Sequence, residues 1–173
     1  YGTGSYNPNQ GSMYHGGDFA GLEAKLDYLQ DLGVNTIWIT PIVDNIDDGL
    51  PVDNSPVQSY GYHGYWASDF EKLNPHLGNE TELKALIDAA HAKGMKIMVD
   101  VVLNHAGYES DDRFNTILKD AEGNYINMIR GENERIPNDE KRDGLSGLPD
   151  FITENEAVRN QLIEWQTGWM TNY

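Results

Sequence analysis

One run of sequence decides the fold of this chain: Lys96-Ile97-Met98-Val99-Asp100-Val101-Val102-Leu103-Asn104-His105. Residues 96–103 are apolar at nearly every position, which predicts a parallel strand covered on both faces. The carboxylate within it, Asp100, is costly to bury unless it is paired. Asp100, Asn104 and His105 emerge together at the end of the strand, so a functional site is expected there. The alternative is that Asp100 is a structural acceptor and His105 a satisfied loop histidine.

Helical and apolar patterns alternate around this strand. Asp18 is placed to cap a helix, and Gly33 fits the position just after its end. The apolar stripe of that helix is Leu22, Leu26, Leu29 and Leu32. The short apolar run 34–40 then predicts another buried strand.

Two further helices have start signals of their own. Asn79 and Glu82 have the spacing of a capping box, as do Thr153 and Glu156. The order helix, strand, helix, strand, helix predicts an α/β architecture with parallel strands. The strand-to-helix connections, roughly 41–78 and 104–152, are long, as in the loops on the active face of a (β/α)₈ barrel.

Composition narrows the classes of partner. Twelve basic and 28 acidic residues give a formal net charge of −16, which disfavours binding to nucleic acid and to anionic membranes. No apolar run approaches the roughly 20 residues of a membrane span. The acidity is a solubilising surface or reflects a site for a cation such as calcium. There is no cysteine, so disulfides and thiol chemistry are excluded.

Several motifs resemble the α-amylase family of glycoside hydrolases. Residues 100–105 are similar to the first signature region of that family. The others are the aromatic stretch Tyr60-Gly61-Tyr62-His63-Gly64-Tyr65-Trp66, the downstream Gly147-Leu148-Pro149-Asp150-Phe151, and residues 14–19 and 38–42. They occur in the order and at the spacings typical of the family, so the resemblance covers nearly the whole chain.

The resemblance implies a fold and a division into segments. The expected fold is α/β, a partial (β/α)₈ TIM barrel running from about the first helix to the third. Residues 1–103 would form the barrel part, residues 104–152 a small domain inserted after the third barrel strand, and residues 153–173 the third barrel helix.

The resemblance also assigns roles at a sugar site. Tyr65 would stack against the sugar next to the scissile bond, while His63 and His105 would hydrogen-bond its hydroxyls. Trp66 would pack behind this platform. Asp100 would be a supporting residue that orients its neighbours, and not the nucleophile.

Calcium is the cofactor that the resemblance implies. Asn104 and Asp150 are the positions at which the family supplies oxygen ligands between the barrel and the insertion. Backbone carbonyls, waters and a later residue would complete the shell of six to eight oxygens. Asn7, Asn9, Gly16 and Asp18 in the N-terminal loop offer oxygens for a second calcium, as in some members of the family, but an Asx turn is the preferred interpretation of this loop.

The catalytic carboxylates are expected outside these residues. Retaining glycosidases use two carboxylates about 5 to 5.5 Å apart, and the resemblance places them, with a third carboxylate, on barrel strands four, five and seven. This chain would then be inactive alone. It would act as part of a larger enzyme, with the remainder of that enzyme as its partner, joined covalently or held after a nick.

The predicted function is that of a retaining α-1,4-glucan hydrolase of the α-amylase type, acting on starch or maltooligosaccharides. The form Leu148-Pro149-Asp150 favours α-amylases over the α-1,6-glucosidase branch. The alternatives are a cyclodextrin glucanotransferase, a maltogenic hydrolase, and a non-catalytic carbohydrate-binding fragment or member. Secretion is expected, because polymeric starch cannot enter a cell.

Overall fold

The structure is a computed structural model that describes residues 7, 9–51, 58–139 and 141–173. The helices are α1 (Phe19–Glu23), α2 (Leu26–Asp31), α3 (Glu80–Ala92), α4 (Asp111–Phe114) and α5 (Glu156–Asn172). The strands are β1 (Thr36–Ile39), β2 (Val43–Asn45), β3 (Leu50–Pro51), β4 (Gln58–Ser59), β5 (Ala67–Leu73) and β6 (Lys96–Val99). Short 3₁₀ turns lie at Glu132–Glu134 and Leu145–Gly147.

The two predicted parallel strands are present and pair with each other. In the register of β1 and β6, Thr36 lies opposite Lys96 and Ile39 opposite Val99. The β6 strand ends at Val99, earlier than the predicted Leu103, and one further bond joins the Asp100 N–H to the Ile39 carbonyl at 2.9 Å. The pair therefore delivers Asp100 to its carboxyl end.

The residues that the structure describes cover only one face of these two strands, and cover of the second face stays a prediction. Ile37 and Val99 face the core under α1, α2 and α3. On the other face, the side chain of Trp38 is 69% exposed and that of Met98 is 50% exposed. The parallel pair thus presents one open apolar face, and no barrel closes within the described part of the chain.

The segment 41–78 is not only a loop, which corrects the sequence interpretation. It contains the antiparallel pair of β2 and β5, and the shorter pair of β3 and β4. The sequence of β5 alternates polar and apolar residues imperfectly, because Asp69 is buried with Phe70. Asp69 is paired with Arg113, which lies far away in sequence. Lys72 lies 3.2 Å from the same Asp69 oxygen, and the two cations together make the burial of the charge tolerable.

Helix starts agree with the capping signals in two of three cases. Asp18 accepts a bond from the Gly21 N–H at 2.7 Å, and Asn79 forms the predicted capping box with Glu82. The third helix begins later than predicted: Asn155, not Thr153, accepts from the first-turn backbone.

The predicted first helix is broken into α1 and α2 around Ala24 and Lys25. Gly33 follows α2 with a φ of 86°, in the left-handed region that glycine favours. The helix thus ends where the sequence indicated, although it is not continuous.

Two apolar cores hold the described residues together. One lies between the parallel pair and α1 to α3, and includes Leu26, Leu83 and Leu86. The other joins β2, β5 and α5 to the segment 104–152. Its buried members are Val43, Ala67, Phe70, Ala106, Phe114, Met128, Ile129, Phe151, Val158, Leu162 and Trp165. The segment predicted as an inserted domain therefore shares its core with neighbouring elements, and its status as a separate domain stays a prediction. None of the helices in the described ranges has the length and apolar character needed to span a membrane.

Phe114→Ala tests the packing of segment 104–152. Phe114 is fully buried between Phe70, Phe151 and Trp165. We expect the substitution to lower the free energy of unfolding by about 3–5 kcal/mol, through lost burial and a cavity. Urea denaturation of the intact protein measures this.

Ile117→Ala is the matched control, because Ile117 lies in the same segment with 36% of its surface exposed. We expect a loss of about 1 kcal/mol or less. Equal losses in the two variants would contradict the packing described.

Candidate functional site

The carboxyl end of β6 meets the aromatic motif in space. The Tyr65 hydroxyl donates a hydrogen bond to Asp100 Oδ2 at 2.9 Å, across 35 positions of sequence. A carboxylate beside a phenol favours the neutral phenol, so this bond raises the pKa of Tyr65 above its usual range. The structure therefore brings Asp100 into contact with the aromatic stretch, while its supporting role at a sugar site stays a prediction.

Glycine gives the Tyr65 loop its shape. Gly64 has a φ of 84°, and a Cβ built there would lie 2.7 Å from the Pro41 carbonyl oxygen. Any other residue would be strained in conformation and would also clash. The loop is fixed further by the buried Asn45, whose Oδ1 accepts from the Trp66 N–H at 2.8 Å.

Four rings form an aromatic shelf at this loop: Tyr62, His63, Tyr65 and Trp66. The His63 and Tyr65 rings stack with centroids 5.6 Å apart, and Trp66 meets the His63 ring edge-on at 4.6 Å. Tyr62 and Tyr65 are 43% and 37% exposed. The shelf thus has a packed base and two rings open to solvent.

His63 is bound within its own loop. Its Nδ1 accepts a hydrogen bond from the Tyr65 N–H at 3.0 Å. Burial lowers the pKa of His63 below its ordinary value of 6.5, because the partly buried ring has too little water around it to solvate a positive charge. The neutral ring is therefore the form that supports Tyr65.

His105 lies beneath the shelf and holds the same residue from the other side. Its Nε2 donates to the Tyr65 carbonyl at 3.1 Å, and its Nδ1 lies 3.4 Å from Asn104 Nδ2. The ring is 7% exposed, and burial is the main cause that lowers the pKa of His105. The structure places His105 as a support for Tyr65, while its predicted contact with a sugar hydroxyl stays a prediction.

Asp150 is brought to this region by main-chain pairing. His105 and Asp150 form an antiparallel bridge, and the Phe151 N–H bonds the Asn104 carbonyl at 3.0 Å. Asp150 is 2% exposed, and its Oδ2 accepts from Arg130 Nε at 2.8 Å. Asn104 itself is exposed.

Asn104 and Asp150 fit calcium in chemical type and in neighbourhood, because calcium prefers amide and carboxylate oxygens. They form only part of a shell, and one Asp150 oxygen already has Arg130 as a partner. Among the residues that the structure describes, no three or more His, Cys, Asp or Glu side chains form a group suited to a metal.

The residues of the predicted second calcium site have other partners. Asn7 Oδ1 accepts from the Asn9 N–H at 3.1 Å, which is the contact of an Asx turn. Asp18 Oδ1 caps α1, and Gly16 adopts a φ of 94°. These contacts favour the Asx-turn alternative, and the site stays a prediction.

Sequence reasoning missed four residues of this region. Asn45 and Tyr108 support Trp66, the latter edge-on with centroids 5.5 Å apart. Arg130 and Glu154 form an ion pair next to Asp150. The one signal in the sequence was a basic residue, Arg130, directly after an apolar Met-Ile pair.

Comparisons with known proteins point in one direction. The family model described as alpha amylase, catalytic domain, matches residues 3–143. An α-amylase of Streptomyces lividans is 47% identical over 104 residues, covering 60% of this chain and 11% of its own. A cyclomaltodextrin glucanotransferase of Klebsiella oxytoca is 36% identical over 123 residues, covering 70% and 18%.

A solved structure agrees. The α-amylase from Geobacillus thermoleovorans complexed with acarbose superimposes with a TM-score of 0.67 at 33% identity, over 95% of this chain and 34% of that one. The chain thus spans a third or less of the curated relatives it matches first, which range from 11% to 33%.

Protonation of His63 should loosen the shelf. The folded protein holds His63 at a pKa below 6.5, so the unfolded chain takes up a proton first as the pH falls. The stabilising contribution of neutral His63 is therefore present above pH 6.5 and is lost progressively below it. We expect the urea midpoint to fall between about pH 7.5 and about pH 5, and less steeply in His63→Gln.

His91→Gln is the control, because His91 is exposed on α3, away from the shelf. It should keep the pH dependence of the wild type. The interpretation fails if His63→Gln and the wild type lose the same amount.

Proposed function

Because this chain belongs to the α-amylase family of glycoside hydrolases, we propose that it supplies part of the glucan-binding cleft of a retaining α-1,4-glucan hydrolase. The substrates would be starch and maltooligosaccharides. The observation that carries the proposal is Tyr65, held between Asp100 and His105 with an open ring face.

The chemistry of the shelf suits a pyranose. A sugar ring has a weakly polar C–H face that packs against aromatic rings, and hydroxyls that need polar partners around it. Tyr65 offers the face, and Asp100 and His63 lie next to it. We assign the stacking role to Tyr65 and the supporting role to Asp100, whose Oδ2 is occupied by the tyrosine hydroxyl.

We assign bond cleavage to carboxylates on other barrel strands of the intact enzyme. The exposed faces of Trp38 and Met98 support this, because parallel strands normally have both faces covered. A groove of about 690 Å³ runs beside the pair, with Met98 and Trp169 in its lining. The remainder of the (β/α)₈ barrel would fill and cover it, either joined to this chain or held to it after a nick.

Calcium would bind where segment 104–152 meets the barrel part. Asn104 and Asp150 would give two of its oxygens, and backbone carbonyls, water and a further residue the rest. The ion would brace the junction next to His105 and so indirectly the shelf. The substrate also implies secretion, because a starch polymer must be cut outside the cell.

A transferase is the second candidate. The relative from Klebsiella oxytoca is a cyclomaltodextrin glucanotransferase, and such an enzyme would need the same shelf. Product analysis of the intact protein on soluble starch separates the two: linear maltooligosaccharides indicate hydrolysis, and cyclic products indicate transfer. A non-catalytic carbohydrate-binding member would bind maltooligosaccharide without forming either.

Tyr65→Ala tests the shelf. Losing the ring should lower kcat/KM on maltooligosaccharide at least about tenfold in the intact enzyme, since tenfold corresponds to about 1.4 kcal/mol of stacking and packing. Initial-rate kinetics measure this.

Tyr28→Ala is the matched control, because Tyr28 is 62% exposed on α2, remote from the shelf. It should keep wild-type kinetics. An unchanged kcat/KM in Tyr65→Ala would remove the assignment.

Asp150→Asn tests the calcium site. Calcium at 100 times its Kd adds about 2.7 kcal/mol to the stability of a folded protein that binds one ion. We expect calcium to raise the Tm of the wild type, relative to EGTA, and to raise that of Asp150→Asn much less. Differential scanning calorimetry measures both increments.

The increment, not the Tm itself, is the readout, because the substitution also removes a partner of Arg130. Asp120→Asn, in an exposed turn, should keep the wild-type increment. Equal increments in wild type and Asp150→Asn would exclude Asp150 as a ligand.

A further inference from the structure

A buried arginine stands at the junction where calcium is proposed. Arg130 is 6% exposed, and its guanidinium contacts three groups. Nε donates to Asp150 Oδ2 at 2.8 Å, and Nη2 donates to both carboxylate oxygens of Glu154 at 2.8 Å. Nη2 also reaches the Lys141 carbonyl at 3.5 Å.

Main-chain pairing fixes the place of this side chain. The Arg130 N–H donates to the Asp150 carbonyl at 2.8 Å, and the Ile152 N–H donates to the Met128 carbonyl at 2.9 Å. Asp150 in turn bridges to His105. The main-chain bonds therefore keep the guanidinium close to the Asp150 carboxylate.

The contacts of Arg130 reach two carboxylates that lie 20 and 24 positions later in the chain, at the end of segment 104–152 and at the start of α5. Asp150 closes the segment 104–152, and Glu154 lies just before Asn155, the cap of α5. A positive charge that binds both carboxylates crosslinks that segment to the helix. This is the bracing task that the proposed function gives to calcium.

We propose that Arg130 is the positioning residue of the Asn104–Asp150 junction, an internal cation that holds the Asp150 carboxylate in place whether or not calcium is bound. The inference rests on the proposed function in one respect: the second cation that binds Asp150, beside Arg130, is taken to be calcium. Arg130 and calcium share one carboxylate, so each reduces what the other adds.

The geometry requires arginine and not only a positive charge. The planar fork directs Nε to Asp150 and Nη2 to Glu154, which a single lysine ammonium cannot reproduce. A buried carboxylate left without a partner is strongly destabilising. Removal of Arg130 therefore measures how much calcium alone can stabilise the junction.

The test compares Arg130→Met, Arg130→Lys and wild type in the intact protein, by calorimetric Tm in EGTA and in excess calcium. We expect Arg130→Met to lose at least about 5 °C in EGTA. Calcium should restore much of this loss, so the calcium increment of Arg130→Met exceeds that of the wild type by about 5 °C. Arg130→Lys should fall between the two.

Arg159→Met is the matched control, because Arg159 is an exposed arginine on α5 whose guanidinium donates to the Thr153 carbonyl and contacts neither Asp150 nor Glu154. It should keep the Tm and the calcium increment of the wild type. A lower Tm in Arg130→Met with an unchanged increment would overturn the proposal, since a purely structural residue gives that result.

The two proposals fail differently. No increment in the wild type together with a large one in Arg130→Met supports the internal cation. No increment in any variant overturns the sharing of Asp150. If calcium raises the Tm of Asp150→Asn as much as that of the wild type, Asp150 is not a calcium ligand. The lower Tm of Arg130→Met in EGTA would still be expected in that case.

Discussion

The position of one side chain, Tyr65, depends on two hydrogen bonds that reach it from the end of a parallel strand. Its hydroxyl donates to Asp100, and its carbonyl accepts from His105. Asp100 is in place because the β1–β6 pairing continues one bond beyond Val99. The aromatic shelf is thus attached to the most regular part of the fold, although it lies on a loop.

The aromatic shelf is also supported by the contacts between its neighbour His105 and the end of segment 104–152. The His105–Asp150 bridge and the Arg130 contacts join the strand end to the start of α5. The buried aromatic cluster around Phe114 and Trp165 includes Phe151, the residue after Asp150, and so packs against that junction. The position of the aromatic shelf and the stability of segment 104–152 are therefore coupled through His105 and Asp150.

Local signals in the sequence predicted local structure well. The capping box at Asn79 and the glycine after α2 were read correctly, because both act within a few residues. The strand β5 was missed because Asp69 is buried between two cations, Lys72 and the distant Arg113, and periodicity does not reveal a buried charge of this kind.

The site followed the same rule. Asp100 and His105 were predicted from the end of the apolar strand and Tyr65 from the family resemblance, and the structure brings the three together. The direction of His105 toward the Tyr65 carbonyl was not predictable, because a ring nitrogen can serve a sugar or the backbone equally well. Arg130 was missed since its partners lie 20 and 24 residues away, and the apolar Met-Ile pair before it is too weak a signal to mark it as buried.

The most direct measurement is a crystal structure of the intact protein with a bound maltooligosaccharide. The account predicts a glucose ring packed face to face on Tyr65, with the tyrosine hydroxyl still bonded to Asp100 and His105 still bonded to the Tyr65 carbonyl. A sugar bound away from the shelf, or a Tyr65 ring displaced from Asp100 when the sugar binds, would contradict it.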